Sequence, residues 1–183
     1  MILRWLSRLF SRPTPPPEPP TPEPSQRYYA QVIKRTPNIS KGRVIKPTHV
    51  VLHHTGGSYV GSVSWCLNPK SRVSYHCIIA RNGKRTVMAL PTQRTWHAGV
   101  SSWQGRKDAN SWSIGLAWEG DTYATPLTED AIASAVEYLL PLIDEFQIDP
   151  RDVLRHADVA PGRKNDCSPR AHRALVDTLQ AYL

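Results

Sequence analysis

The sequence predicts a single α/β or α+β domain, built from mixed strands with helices packed on them. Three observations lead to this prediction. Strand-like and helix-like segments alternate from about residue 28 onward, a pattern typical of sheets covered by helices. The composition, with 40% hydrophobic residues among 183, is that of an ordinary globular domain. No uninterrupted apolar run approaches the roughly 18 residues of a membrane-spanning helix, and no internal repeat is visible.

Four segments carry the strand pattern. Residues 49–53 form a short β-branched run that ends in polar residues, which predicts a buried strand. Residues 74–80 alternate in polarity and lead into residues 81–84, where an Asn-Gly pair predicts a hairpin turn. Residues 85–90 return as the partner strand, and residues 113–118 read as a third core strand. The predicted sheet therefore contains one hairpin and at least two other strands.

Two segments carry the helix pattern. Thr128 is a candidate N-cap, and acidic residues fill the turn that follows it, as the helix dipole favours. Residues 131–146 then keep the apolar spacing of a helix. Residues 171–183 predict a closing helix. Both helices are expected to cover the sheet.

The N-terminal part of the chain differs from the rest. Residues 1–12 place apolar side chains on one side of a helical wheel and arginines and serines on the other, so they predict a basic amphipathic segment able to contact a membrane surface. Residues 13–27 form a proline-rich linker, with eight prolines among residues 13–24, and are expected to be extended. The domain proper spans residues 28–183.

Charge and cysteine content narrow the function classes. A formal net charge of +8 favours an anionic partner, which leaves nucleic acid, an acidic membrane surface and the bacterial envelope. No zinc-finger, RNP-like or helix-turn-helix signature accompanies the charge, so no nucleic-acid partner is expected. The three cysteines are Cys66, Cys77 and Cys167. This odd, sparse set does not make a disulfide framework, and the first two are expected to be small buried residues.

Two polar clusters far apart in the sequence carry candidate chemistry. His53 and His54 end the first predicted strand. Residues 155–169 are punctuated by Pro, Gly, Asn and Ser, which predicts a loop, and this loop contains His156 and Asp166. Together with His53 they make a set of two histidines and one carboxylate. Such a set is typical of catalytic zinc sites, where three protein ligands leave one position open.

Three longer motifs resemble a known family. They read RVSYHCIIARNGK from residue 72, WHAGVSSWQGRKDANSWSIGLAWEG from residue 96 and HADVAPGRKNDCSP from residue 156. These stretches look very like the AmpD-type N-acetylmuramoyl-L-alanine amidases, and more distantly like phage amidase lysozymes and peptidoglycan recognition proteins. The resemblance covers residues 47–172 and implies a central mixed sheet flanked by helices, with a zinc site in a surface groove.

The resemblance assigns roles to individual residues. It implies that His53, His156 and Asp166 bind a Zn²⁺ ion, with Asp166 favoured over the neighbouring Cys167 because this chain keeps the long APGRK-x-D form of the loop. It also implies that Tyr75 and Lys164 act as catalytic residues beside the metal.

The resemblance also suggests two substrate contacts, and at one position this chain departs from the family pattern. His97 and Arg106 match loops that border the family's groove, so His97 is a candidate substrate contact and Arg106 a candidate partner for a peptide carboxylate. Where AmpD-type enzymes carry a glutamate thought to serve in acid-base work, this chain has Ala117. Glu119, two residues later, is expected to be a structural acid at the strand end.

The function predicted from these motifs is hydrolysis of the amide between N-acetylmuramic acid and L-alanine in peptidoglycan. The basic arm of residues 1–12 and the charge of +8 favour a lytic, endolysin-like role. The alternatives are a cytosolic amidase that recycles anhydro-muropeptides and a non-catalytic peptidoglycan-binding module. We expect a monomer that contacts peptidoglycan or muropeptides. We also expect synthesis in the bacterial cytoplasm without a cleavable signal peptide, and action at the cell wall or periplasm.

Overall fold

The computed structural model describes residues 29–183, so the predictions for the amphipathic segment and the proline-rich linker lie outside the described residues. The described chain forms ten strands, four α-helices and two short 3-10 helices. The strands are β1 (Gln31–Ile33), β2 (Ile39–Val44), β3 (His49–His54), β4 (Cys77–Ile79), β5 (Arg85–Val87), β6 (Gln93–Thr95), β7 (Ser102–Trp103), β8 (Arg106–Lys107), β9 (Ser113–Trp118) and β10 (Val153–Arg155). The helices are α1 (Tyr59–Leu67), α2 (Glu129–Phe146), α3 (His156–Val159) and α4 (Pro169–Gln180), with 3-10 turns at Ala109–Ser111 and Pro150–Asp152.

The main sheet has six strands in the order β1-β5-β4-β9-β3-β10. Strands β4, β9, β3 and β10 are mutually parallel, and β5 pairs antiparallel with β4. Two smaller antiparallel pairs, β2 with β6 and β7 with β8, lie outside this sheet. The sheet is therefore mixed, as the motifs implied, and its four parallel strands end at one common edge.

The predicted strands are present. Strand β9 has the predicted bounds, and β3 is one residue longer than predicted. Strands β4 and β5 form the predicted hairpin but are shorter, with three residues each. In its turn Gly83 has φ +77, and a Cβ there would lie 2.2 Å from the Tyr29 ring, so the turn requires glycine.

Side-chain alternation along the central strands separates the two faces of the sheet. On one face, Val50 and Leu52 of β3 pack in the main core. The helical residues of that core come from α2 and α4 and are Ala131, Ala135, Val136, Leu139, Ile143, Ala171, Leu175 and Leu179. The other face is covered by α1 and by loops, where Val51 packs against Trp112 and Val159. His53 shares the face of Val51, away from α2 and α4.

The helix ends follow their capping residues. Helix α2 begins as predicted, with the Thr128 side chain accepting a hydrogen bond from the Ala131 amide at 3.1 Å. Helix α4 begins two residues earlier than predicted, capped by Ser168, and ends at Gln180 instead of continuing to residue 183. No helix within residues 29–183 is long and apolar enough to cross a membrane.

Candidate active site

The carboxyl edge of the parallel strands brings the two predicted clusters together. Strand β3 ends with His53 and His54, and β10 ends at Arg155, directly before His156. Arg155 pairs with Leu52 in the ladder, so His156 comes next to His53. The loop after α3 then returns Asp166 to the same edge, where its carbonyl oxygen accepts a hydrogen bond from the Ala157 amide at 2.7 Å.

The three predicted metal ligands converge on one point. The Nδ1 atoms of His53 and His156 lie 3.0 Å apart. Asp166 Oδ2 lies 3.0 Å from the first and 3.1 Å from the second. All three residues are buried, at 0%, 3% and 8% exposure. Among residues 29–183 they form a group of His, Cys, Asp and Glu side chains that could hold a metal ion.

The neighbouring residues are directed elsewhere. His54 Nδ1 lies 3.0 Å from the Thr122 hydroxyl, because successive residues of a strand point to opposite faces. Cys167 packs in the core beneath α4, where burial raises the pKa of its thiol to about 12. All three cysteines are free and buried, as expected for Cys66 and Cys77. The structure therefore groups Asp166, and not Cys167, with the two histidines.

Burial sets the charge state of the cluster. It lowers the pKa of His53 to about 4, against the opposing effect of the Asp166 carboxylate. Burial alone would raise the pKa of Asp166, but the contacts of its carboxylate with the His156 and His53 rings outweigh it and hold this pKa well below its usual range. At neutral pH His53 is thus a neutral imidazole and Asp166 a carboxylate, the protonation states that a metal ion requires.

The outer nitrogens of both histidines also have partners. His156 Nε2 donates to the Ala98 carbonyl oxygen at 3.1 Å. His53 Nε2 lies 3.0 Å from Nδ1 of His97. Asp158, a candidate for orienting ligands, instead accepts hydrogen bonds from the backbone and guanidinium of Arg155 at the start of α3.

A cavity of about 490 Å³ lies over the cluster. Tyr75 and Lys164 line it, as the predicted catalytic roles require. The Tyr75 ring centroid is 5.1 Å from that of His53, and burial raises the pKa of the Tyr75 hydroxyl well above its usual value, so it remains a donor. Trp65 of α1 lines the same cavity although its side chain is 56% exposed.

A second cavity of about 960 Å³ adjoins the first. The two share Arg72, Trp96, Gly99 and Arg163 as lining residues. The Arg163 guanidinium donates to the carbonyl oxygens of Ala98 and Val100, the latter at 2.7 Å. The motif comparison did not single out Arg163, and its position within the APGRK segment was the only available signal.

Of the two predicted substrate contacts, His97 lies at the cavity and Arg106 does not. Arg106 lines neither cavity, because it donates to the Thr48 hydroxyl at 2.9 Å and lies over the Trp112 ring, at the far end of β3 from His53. His97 does line the smaller cavity, but it is only 5% exposed and contacts His53.

Two positions at the end of β9 bear on acid-base chemistry: residue 117, within the strand, and Glu119, just after it. Ala117 is fully buried beside His53 in the ladder, so this position of the site carries no carboxylate. Glu119 accepts hydrogen bonds from the amides of Tyr59 and Arg81, at 3.2 Å and 2.8 Å. As expected, it is a structural acid, and it caps the start of α1.

The family model described as N-acetylmuramoyl-L-alanine amidase, Amidase_2, matches residues 43–170. The chain belongs to this family. The matched segment contains all three residues of the His-His-Asp cluster, the two candidate catalytic residues and the whole of β3, β4, β9 and β10.

Individual members of the amidase family support the assignment. The chain is 39% identical over 99 residues to the 1,6-anhydro-N-acetylmuramyl-L-alanine amidase AmpD of Escherichia coli K12, covering 54% of this chain and 53% of that protein. It is 31% identical over 142 residues to AmpD of Enterobacter cloacae, covering 68% of this chain and 75% of that protein. The chain thus spans about half the length of the first of these curated relatives.

The fold agrees with a solved member of the family. A crystal structure of a selenomethionine derivative of AmpD matches with a TM-score of 0.67 at 26% identity, covering 82% of this chain and 93% of that chain. The predicted fold, a mixed sheet flanked by helices, is confirmed.

Proposed function

We propose that this protein is a zinc-dependent N-acetylmuramoyl-L-alanine amidase, which hydrolyses the amide between N-acetylmuramic acid and L-alanine. The observation that carries the proposal is the meeting of His53, His156 and Asp166, the last two of which line a cavity. Tyr75 and Lys164 stand on the walls of that cavity, where an amide would lie. Membership of the amidase family supports the same reaction.

The donor set fits zinc. Two imidazole nitrogens and one carboxylate oxygen are ligands that zinc prefers, and three protein ligands leave room for a fourth. In a tetrahedral site with bonds of about 2.0–2.1 Å, ligand atoms lie roughly 3.3 Å apart. The corresponding separations here are 3.0–3.1 Å, so a small rearrangement would accommodate the ion. Zinc bound there would supply Lewis-acid chemistry, polarising a carbonyl and acidifying water.

The remaining steps fall to the chain's own side chains. As the scissile carbonyl is attacked, negative charge grows on its oxygen, and Lys164 and the protonated Tyr75 hydroxyl can stabilise it. One such donor contributes about 3–4 kcal/mol to the transition state. The amine of L-alanine needs a proton to leave, and the Tyr75 hydroxyl, which lines the cavity and keeps its proton, can supply one. Ala117 has no proton to supply, so another residue has to take the acid-base role of the glutamate in AmpD-type enzymes.

For the substrate class we propose a soluble anhydro-muropeptide. The curated relatives named above are 1,6-anhydro-N-acetylmuramyl-L-alanine amidases, which favours the recycling alternative over the lytic role expected from residues 1–12. The adjoining cavity with Arg72 and Arg163 would accept the anionic stem peptide.

Truncation separates the two roles. Deleting residues 1–24 should leave cleavage of soluble anhydro-muropeptides unchanged. If the truncated protein also matches the full chain on intact cells, the lytic role is excluded. A selective loss on cells would restore it.

The reaction itself is tested by incubating the protein with anhydro-muropeptides and with sacculi, with and without a chelator. Mass spectrometry should find free stem peptides that begin with L-alanine, lost with the chelator and regained with zinc. His53→Gln should abolish both zinc binding and cleavage. His54→Gln is the matched control, because the adjacent side chain points to the other face of the strand. Zinc binding without cleavage of either substrate would leave the peptidoglycan-binding alternative.

A further inference from the structure

A buried chain of hydrogen bonds extends from the metal cluster into the protein. His53 Nε2 lies 3.0 Å from His97 Nδ1. His97 Nε2 lies 3.4 Å from the Ser113 hydroxyl, which in turn lies 2.6 Å from the carbonyl oxygen of Ala109. His53, His97 and Ser113 are 0%, 5% and 0% exposed, so water cannot replace these partners.

The last member of this chain fixes the position of every proton in it. A carbonyl oxygen can only accept, so the Ser113 hydroxyl donates its one proton to Ala109. Ser113 must then accept from His97 Nε2–H, which leaves His97 Nδ1 as an acceptor. His53 therefore donates its proton from Nε2. Its Nδ1 lone pair is left free and faces the cluster.

We propose that His97 is a positioning residue for the metal site, which holds His53 in the tautomer and ring orientation that metal binding needs. The inference rests on the proposed zinc site and replaces the predicted role of His97 as a substrate contact. A ligand histidine commonly donates a hydrogen bond from its second ring nitrogen to a carboxylate, a carbonyl or water. Here a second neutral histidine accepts that proton.

The backbone around His97 is built to hold the ring in place. A Cβ on Gly115 would lie 2.5 Å from the ring, so β9 has glycine where the imidazole crosses it. Asn110 Oδ1 accepts from the amides of His97 and Ala98 at 3.0 Å and 2.8 Å. Because the Ala98 carbonyl accepts from His156 Nε2, one amide side chain fixes the partners of both ligand histidines.

The experiment measures zinc affinity by competition with a chelator, and the visible absorption of the Co²⁺-substituted protein. His97→Leu removes the acceptor and should weaken zinc binding about 10- to 100-fold and alter the Co²⁺ spectrum. His97→Asn, whose amide oxygen lies near the position of Nδ1, should recover most of the affinity. His172→Leu is the matched control, because this partly buried histidine bonds to the Val153 carbonyl oxygen and contacts neither the cluster nor His97.

The outcomes are separable. Zinc affinity and Co²⁺ spectrum unchanged in His97→Leu, with a raised KM for muropeptide, would overturn the proposal in favour of a substrate contact. Equal losses in His97→Leu and His172→Leu would also overturn it, since they would reflect general destabilisation. If His97→Leu does not fold, Ser113→Ala provides the test, because it frees His97 to reverse its tautomer and should also weaken zinc binding. Failure of the wild-type chain to bind zinc would instead overturn the proposed function.

Discussion

Placing the glutamate of AmpD-type enzymes at residue 117 is expected to destabilise this domain. Ala117 is fully buried and pairs with His53 in the ladder. Its methyl group packs in a cluster with Val63, Cys66 and Met88, beneath α1. Ala117→Glu adds four non-hydrogen atoms to this buried cluster. The new carboxyl group would also lose its contact with water.

The size of the effect follows from these two costs. Overpacking a filled core costs about 1–3 kcal/mol. Burying an ionised carboxylate costs several kcal/mol more, and protonation of the group would remove part of this cost. A total of about 4 kcal/mol would lower the melting temperature by about 8–16 °C in a domain of this size. Cleavage should not increase, because the disturbed cluster includes Cys66 and Tyr75, which line the cavity.

Ala117→Gln separates the two costs, since it has the same shape without the charge. Thermal and urea unfolding of both variants should be followed from pH 4 to pH 8. The folded-state pKa of the new carboxyl is raised, so the Glu and Gln variants should be equally stable below about pH 4.3, and the Glu variant should fall behind as pH rises. A Glu variant within about 1 kcal/mol of wild type at pH 7, or one with increased activity, would refute this reading of the packing.

Three further perturbations test other parts of the structure. Arg163→Ala should lower kcat/KM for muropeptide about tenfold or more, with faster hydrogen exchange near Ala98, because the loop loses charge-assisted hydrogen bonds; unchanged exchange would contradict this. Burial lowers the pKa of His76 to about 4, so its neutral form stabilises the fold above about pH 6.5. As the pH falls toward 4, the free energy of unfolding should decrease by about 3 kcal/mol relative to His76→Asn, as measured by urea titrations. Arg85→Met should cost about 2–3 kcal/mol by breaking the 2.9 Å ion pair with Glu137, and a double-mutant cycle should show coupling between them.

The sequence predicted those elements whose signal is local. Strand β9 and helix α2 have apolar spacing that is legible without knowledge of their neighbours, and Thr128 marks the start of α2. Helix α1 was not predicted, because its sequence YVGSVSWCL is rich in Gly and Ser and buries only Val63 and Cys66. Helix α3 was hidden in a segment expected to be a loop, since four residues carry no detectable period.

The site residues that could be predicted are likewise those with a local signal in the sequence. His53, His156 and Asp166 were predictable because strand ends and a motif loop determine them. Arg106 was misplaced because the short β7–β8 pair turns its side chain back toward Thr48, which no sequence pattern signals. The proposed role of His97 depends on the proton in the second hydrogen bond beyond its ring, and that is visible only once Ser113 and Ala109 are seen together.

The three cluster residues are held by different means, and this determines how the site forms. Strand alternation places His53 and ladder register places His156, so both are fixed once the sheet is formed. The position of Asp166 depends instead on how its loop is held. The Ala157 amide donates to the Asp166 carbonyl oxygen, and the Ser168 amide donates to the Thr122 hydroxyl at 2.9 Å. Placement of the third ligand therefore depends on hydrogen bonds within and around the loop, whereas placement of the two histidines depends on the sheet.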